Sequence, residues 1–269
     1  MSAELRIDID DDNPGDPLSL RAPAGANPAV TVIGKTTVQA MALLPLLFNL
    51  CPSAHRLAAA MAMEAPIEMD WPRHLLRDDL REQALVILRD WSVALRGVPD
   101  ADSLRGLSLL RSDQLPQLAQ ALQVFGNRAI SVVANWNENW GYWDNQSLLE
   151  RMEHRLAAAL MLCDQLRLDQ CGGCYGSDAT GEGWALAARG RLVHRAVISN
   201  GRITAYSIDT PTERMIRDGS LKGLLVSAWR SPVSVRKSVF DLALACANPC
   251  VAIRISSTPA GTTKGGAGA

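Results

Sequence analysis

Six cysteines and four histidines are the residues of this 269-residue chain best suited to hold a metal or exchange thiols. Cys51 and His55 stand four apart, a spacing that brings two side chains to one face of a helix and that helical metal sites use. The plain alternative is a buried thiol beside a histidine that caps or hydrogen-bonds locally, because a free cysteine is commonly a small core residue. Cys246 and Cys250 repeat the four-residue step, with Pro249 before the second, and the same two readings apply. Cys171-Gly-Gly-Cys174 is a single CxxC in a glycine-rich loop. A structural zinc would need two more ligands and a thioredoxin-type site a βαβ context; neither a second CxxC nor that context is present, though Cys163 could add a third thiol. Cys171 and Cys174 therefore stay open between a second metal or redox site and a tight turn. Asp178 and Glu182 share that loop but form no recognisable acid/base pair, and the chain has no Gly-rich phosphate loop, nucleophile-elbow serine or His-rich signature.

The elements that must position these residues are mostly helical. Glu4 to Asp10 alternates apolar and acidic residues as a half-buried strand does, and Val30 to Ile33 reads as a second short strand. An apolar helix follows from Lys35 to about Pro45, and Pro52 in a first turn opens another over Ala54 to Met63. Leu76, Leu80, Ala84, Ile87, Trp91 and Leu95 form one apolar stripe on a long helix from Arg73 to Arg96. Further helices are expected over Gln114 to Val124, Ser147 to Leu168, Glu213 to Trp229 and Val233 to Ala247. Trp136, Trp140 and Trp143 have helical spacing and read as packing. Asn200-Gly201 between two apolar runs is the strongest hairpin signal, and Val251 to Ile255 reads as a last strand. The Gly/Ala/Thr/Pro tail, residues 257–269, is too poor in apolar residues to bury a core and is expected to be disordered, leaving 1–256 as one domain.

Composition excludes several classes. With 48% hydrophobic residues and a net charge of -1, the chain lacks the basic excess that broad nucleic-acid or anionic-membrane binding requires. Its longest apolar run, Ala40 to Phe48, is far short of the ~20 residues that span a bilayer. The acidic stretch Met1 to Asp12 does not read as an export signal, so a cytoplasmic location is expected, where six thiols make a poor disulfide framework.

Taken together, the outer cysteines carry a resemblance. Phe48-Asn-Leu-Cys51-Pro-Ser-Ala-His55 resembles the first metal-binding motif of nickel-iron hydrogenase large subunits, CGxC, three residues and His. Asn248-Pro249-Cys250-Val-Ala-Ile253 resembles their second motif, DPCxxC followed by xxH. Ala188-Arg189-Gly190 with His194, the Asn200-Gly201 hairpin and Asp209-Thr-Pro-Thr-Glu213 look like the stretch between them. Two of the motif thiolates are replaced, by Phe48 and Ile253, and the closing His by Ser256. Phe and Ile cannot ligate a soft metal, so no nickel is expected and hydrogen chemistry is not.

A shortened, cysteine-depleted copy of the large subunit resembles the hydrogenase expression/formation accessory proteins of the HupK/HoxV type. The resemblance implies a mainly helical α+β fold, a truncated large-subunit-like helical core with a small antiparallel sheet made from the N-terminal strands, the hairpin and the last strand. It implies a non-enzymatic maturation scaffold that receives or holds iron carrying cyanide and carbonyl ligands. Cys51 and Cys250 would be the iron ligands, with His55 and Arg189 in the ligand environment. Cys51 matches a bridging position and Cys250 a nickel-only one, so the pair differs from the enzyme's iron pair. Implied partners are a small chaperone of the HypC type and the large-subunit precursor. Two alternatives stand beside this: a metal-free assembly chaperone that mimics the large subunit, and a thiol oxidoreductase working through Cys171 and Cys174.

Overall fold

The computed structural model describes residues 4–258 except 11, 14, 23–27, 49, 100, 112–113 and 141–145, and gives no side-chain detail for 111, 137–140 and 146. Strand β1 (Glu4–Asp10) buries Leu5, Ile7 and Ile9 on one face, as its alternation requires. It is the central strand of a three-stranded sheet, antiparallel to β2 (Leu18–Arg21) and parallel to β7 (Ala252–Thr258), so the two ends of the described chain are hydrogen-bonded side by side. A second, antiparallel sheet runs in the order β3 (Tyr175–Gly176), β4 (Glu182–Ala187), β5 (Gly190–Ser199), β6 (Arg202–Asp209). The hairpin between β5 and β6 turns at Asn200 and Gly201, both with positive φ, as the Asn-Gly signal requires.

Helices make up the rest. Helix α1 (Thr37–Leu47) opens on a reciprocal capping box between Thr36 and Gln39 and contains Pro45. Helix α2 (Pro52–Ala62) has Cys51 at its N-cap and Pro52 at its first position, and its small residues Ala58, Ala59 and Ala62 are fully or almost fully buried. Helix α3 (Trp71–Leu85) passes through a π-helical turn, Val86–Asp90, into α4 (Trp91–Arg96). The expected stripe is buried from Leu76 to Trp91, and the wider π turn buries Val86 and Leu88 beside Ile87. After α5 (Ala101–Ser108) and a 3-10 turn (Leu109–Arg111), the long antiparallel pair α6 (Leu115–Trp140) and α7 (Gln146–Arg167) leads to the CxxC loop. Helices α8 (Pro211–Arg217), α9 (Ser220–Trp229) and α10 (Val233–Ala247) complete the chain before β7.

Glycine matters most where α2 crosses β4. A Cβ on Gly183 would fall closer than 3.0 Å to the Ala58 carbonyl oxygen and the Ala62 nitrogen, so only a residue without one lets the strand lie against the helix backbone.

The mainly helical α+β expectation holds, with four corrections of detail. The small sheet is two sheets, and the one joining the termini is mixed, because β7 returns beside β1 in the same direction. Val30 to Ile33 is not a strand; a 3-10 helix, Pro28–Val32, buries Ala29 and Val32, while Leu18–Arg21, within the proline-rich passage, supplies the second strand. The helix expected over Glu213 to Trp229 breaks at Asp218-Gly219, where Gly219 takes φ 77° and Asp218 accepts a hydrogen bond from the Ser220 N–H. Strand β7 runs on to Thr258, through the first two residues of the expected tail; 259–269 lie outside the described residues. Of the tryptophan cluster, Trp136 packs half-buried on the core, and the other side chains also lie outside them.

Candidate functional site

The turn into α2, the polar side of α3 and the β4–β5 turn meet at a narrow cleft. Leu50, Cys51, Ala54, Leu75, Asp79, Glu82 and Arg189 contribute to its lining, and it holds about 10 Å³. Arg189 comes from the tight turn between β4 and β5, and its side chain is 4% exposed. Its Nη2 donates to Glu82 Oε2 at 3.0 Å and its Nε to the Asn248 carbonyl at 2.5 Å. Asn248 sits in the left-handed region at the end of α10, a conformation asparagine tolerates, and thereby turns the chain so that Cys250 comes back toward Cys51. Cys250 is held by Thr212: its N–H donates to Thr212 Oγ1 at 3.0 Å, and its Sγ lies 3.1 Å from the same oxygen.

Three enclosed polar atoms here have no hydrogen-bond partner among the described residues: Arg189 Nη1, Asn248 Nδ2 and Asp79 Oδ1. Burial pushes the Asp79 carboxyl up to about 7, against the nearby Arg155 and Arg189 guanidiniums that favour its charge. Burial likewise pushes the Cys51 thiol up to about 12, with Arg189 opposing and Cys250 reinforcing the shift. A helix N-terminus normally favours a thiolate, so at Cys51 desolvation outweighs the dipole. Beneath the cleft, Arg155 on α7 donates to the Cys246 carbonyl at 2.7 Å and to Gln83 Oε1 at 2.7 Å, and Gln83 in turn donates to the Ala188 carbonyl at 3.1 Å. This buried chain ties α3, α7 and α10 to the turn that carries Arg189.

Cys51 and Arg189 line one cleft, and Cys250 lies close enough to act on the Cys51 thiol. His55 is not aimed with Cys51 at one point. Its ring stacks on Phe48 at 3.6 Å between centroids, and its Nδ1 meets His194 Nε2 at 2.9 Å; His194 Nδ1 meets the Tyr206 hydroxyl at 2.6 Å. Burial lowers the pKa of both histidines, that of His194 to about 3, so this is a neutral relay between α2 and the second sheet. Phe48, at a lost thiolate position, serves that stack, and Ile253, at the other, pairs with Leu5 in the first sheet. Among the described residues no three His, Cys, Asp or Glu side chains are grouped to hold a metal.

Cys171 and Cys174 do not line the cleft, although the Asp79 charge reaches the Cys174 thiol. The Cys174 thiol donates to the Cys171 carbonyl at 3.2 Å, and burial raises both thiols, Cys174 to about 11. A redox nucleophile needs the opposite shift. Cys163 and Cys246 are buried in the core, the plainer of the readings open to them.

The site residues missed from sequence are Asp79, Glu82, Gln83 and Arg155. Asp79 and Gln83 follow Leu75 along α3 at steps of four and Glu82 lies three after Asp79, on the side read as a solvated face, so a second, polar stripe was the available signal. Arg155 had none.

No family model matches the chain. It is 24% identical to the hydrogenase expression/formation protein HupV of Azotobacter chroococcum mcd 1, across 83% of this chain and 89% of that one. It is 26% identical to the hydrogenase expression/formation protein HupK of Rhodobacter capsulatus, across 95% of this chain and 98% of that one. Among solved structures, a chain of an NAD+-reducing [NiFe]-hydrogenase in the H2-reduced state superposes with a TM-score of 0.57 at 10% identity, covering 87% of this chain and 92% of that one. Over most of its length the chain is thus similar in sequence to hydrogenase expression/formation proteins, and its fold is like that of a nickel-iron hydrogenase chain.

Proposed function

We propose that this protein is a maturation scaffold for nickel-iron hydrogenase. It receives an iron carrying cyanide and carbonyl ligands at Cys51, with Cys250 facing it, and passes it to the large-subunit precursor; a small HypC-type chaperone is the donor. The observation that carries this reading is the set of unpartnered donors at the cleft. Arg189 Nη1 and Asn248 Nδ2 have no acceptor among the described residues. A cyanide nitrogen, anionic and accepting, supplies what they lack. Burying such donors without an acceptor costs about 1–3 kcal/mol each, so the free cleft is primed for a ligand of that polarity.

Cys51 is a thiol at neutral pH, and coordination requires the thiolate, so capture releases a proton. The cleft holds about 10 Å³, room for about one water, and the Leu50-Cys51 turn must open for the cargo to enter. With Phe48 and Ile253 at two motif positions the chain lacks the thiolates for nickel, and it does no hydrogen chemistry itself. Among the described residues no helix is long and apolar enough to cross a membrane, and we place the protein in the cytoplasm with its partners.

Infrared spectroscopy on protein co-produced with its maturation partners tests the reading. Cyanide and carbonyl stretches are expected, lost in Cys51→Ala and shifted in Arg189→Lys. A metal-free chaperone mimicking the large subunit is the second reading, favoured by the absence of a three-ligand group among the described residues. If the parent protein shows no such stretches and still binds the precursor, the scaffold reading falls and the chaperone reading replaces it.

A further inference from the structure

A groove of about 800 Å³ lies on the molecule between α3, the 3-10 turn, α6 and the end of α7. Its floor is leucine: Leu80, Leu118 and Leu166 are buried, and Leu107, Leu110 and Leu115 are half-buried. Arg73, Arg77 and Arg81, one turn apart on α3, form one rim, and Arg167 stands at the α7 end. Among the described lining residues, four guanidiniums face one carboxylate, Asp78. Arg73 is paired with Asp169 at 2.5 Å and Arg167 with Asp164 at 3.2 Å, while Arg81 stays 3.8 Å or more from Asp78 and Glu82. Their side chains are 37%, 53% and 46% exposed, so each can turn to a ligand.

We infer that this groove docks an acidic, amphipathic helical segment of a partner protein. The spacing selects the ligand. The α3 arginines span eight residues, about 12 Å at 1.5 Å per residue, which matches carboxylates repeated at every fourth position of a helix laid alongside. A single-headed anionic amphiphile could engage only one end of such a row. The leucine floor accepts the apolar face of that helix, in the helix-in-groove manner. Asp78 lines both this groove and the Cys51 cleft, so a segment seated here lies next to the candidate cargo site. The inference does not depend on the iron reading, since it concerns only charge and shape at a different face of α3.

Fluorescence anisotropy with the purified chain, free of iron and of hydrogenase subunits, tests it. The probe is a labelled synthetic helix with leucines on one face and glutamates at every fourth position along both flanks. Binding is expected to weaken at least tenfold in the Arg77→Glu/Arg81→Glu double variant and to fall steeply with salt. The same peptide with lysines for glutamates should not bind the parent chain and should bind the double variant. Circular dichroism controls for folding; a more conservative Arg77→Gln/Arg81→Gln pair, expected to lose several-fold, replaces the reversal if that misfolds. Equal affinity for both peptides, or an affinity unchanged by either double variant, overturns the inference. So does a medium-chain fatty acid that competes fully with the peptide at equal concentration, since it reassigns the groove to small amphiphiles.

Discussion

Replacing Glu82 exposes how the cleft is held together. Its carboxylate is 12% exposed and meets the 4%-exposed Arg189 at 3.0 Å. At an effective dielectric of 20 that pair attracts by roughly 5 kcal/mol, much of it offset by the cost of desolvating both ions. Truncation does not remove that cost for the partner. In Glu82→Leu the guanidinium stays buried with Nη1 already unpartnered and Nη2 left with only the 3.4 Å contact to Asn248 Oδ1, so a loss of about 3–5 kcal/mol is expected. With a urea slope of about 3 kcal/mol/M this lowers the unfolding midpoint by about 1–1.7 M. Glu82→Leu/Arg189→Met removes both charges and takes the donor from the Asn248 carbonyl and its weakly held Oδ1, so the double variant should lose about 1–3 kcal/mol, less than Glu82→Leu alone. Urea unfolding of the parent, both single variants and the double closes the cycle. A Glu82→Leu loss below about 1 kcal/mol, or a double variant equal to the sum of the singles, would refute the claim that the pair is desolvated and coupled.

Acid should unfold the protein through the histidine relay. His194 is fully buried and its pKa falls from 6.5 to about 3 on folding, with His55 shifted the same way, so this stability is complete above pH 6.5 and lost as pH falls toward 3, by roughly 5 kcal/mol for His194. Asp79, raised to about 7, acts oppositely over pH 7 to 3.8, and two histidines against one carboxyl leave a net loss; a thermal melt no less stable at pH 4.5 than at pH 7 contradicts the buried, neutral assignment. Gly183→Ala should cost 3 kcal/mol or more, because the new methyl meets α2 backbone that cannot rotate away, and calorimetry within about 1 kcal/mol of the parent shows that α2 and β4 can separate cheaply. Alkylation at pH 7 should label Cys171 slowly and Cys174 more slowly still, with no redox-dependent protection; fast labelling that an oxidant blocks reinstates the thiol oxidoreductase reading.

Legibility in the sequence followed the range of the interaction. The Pro52 helix start, the Asn-Gly hairpin and the stripe from Leu76 to Trp91 depend on neighbours within a few residues, and they fold as read. The two-sheet arrangement depends on Ile7 meeting Ile255 across 248 residues, which no local pattern encodes. At the cleft, motif positions located Cys51, Arg189 and Cys250, but the partners that fix them came from the polar side of α3, where a buried Glu82 and a solvated Glu look alike in sequence. His55 was misplaced for a related reason: four-residue spacing fixes the face of a helix but not the rotamer, and Phe48 with His194 offers that ring a better environment than the thiol does.

The departures from the large-subunit motifs are structurally coherent. At the two positions where the motifs carry thiolates, Phe48 stacks on the His55 ring and Ile253 pairs with Leu5, so both residues are used in packing. What has been kept is the guanidinium, anchored to Glu82 and Asn248 with one nitrogen open. A site with fewer thiolates binds a soft metal less tightly and depends more on polar contacts to its ligands. In the proposed scaffold Cys51, with its thiol near 12, would regain its proton readily once the metal leaves, and that reprotonation would favour release. For a scaffold that must hand its cargo on, weak thiolate retention combined with a rigid polar cradle suits transfer, whereas the full thiolate set would make the chain a terminal acceptor.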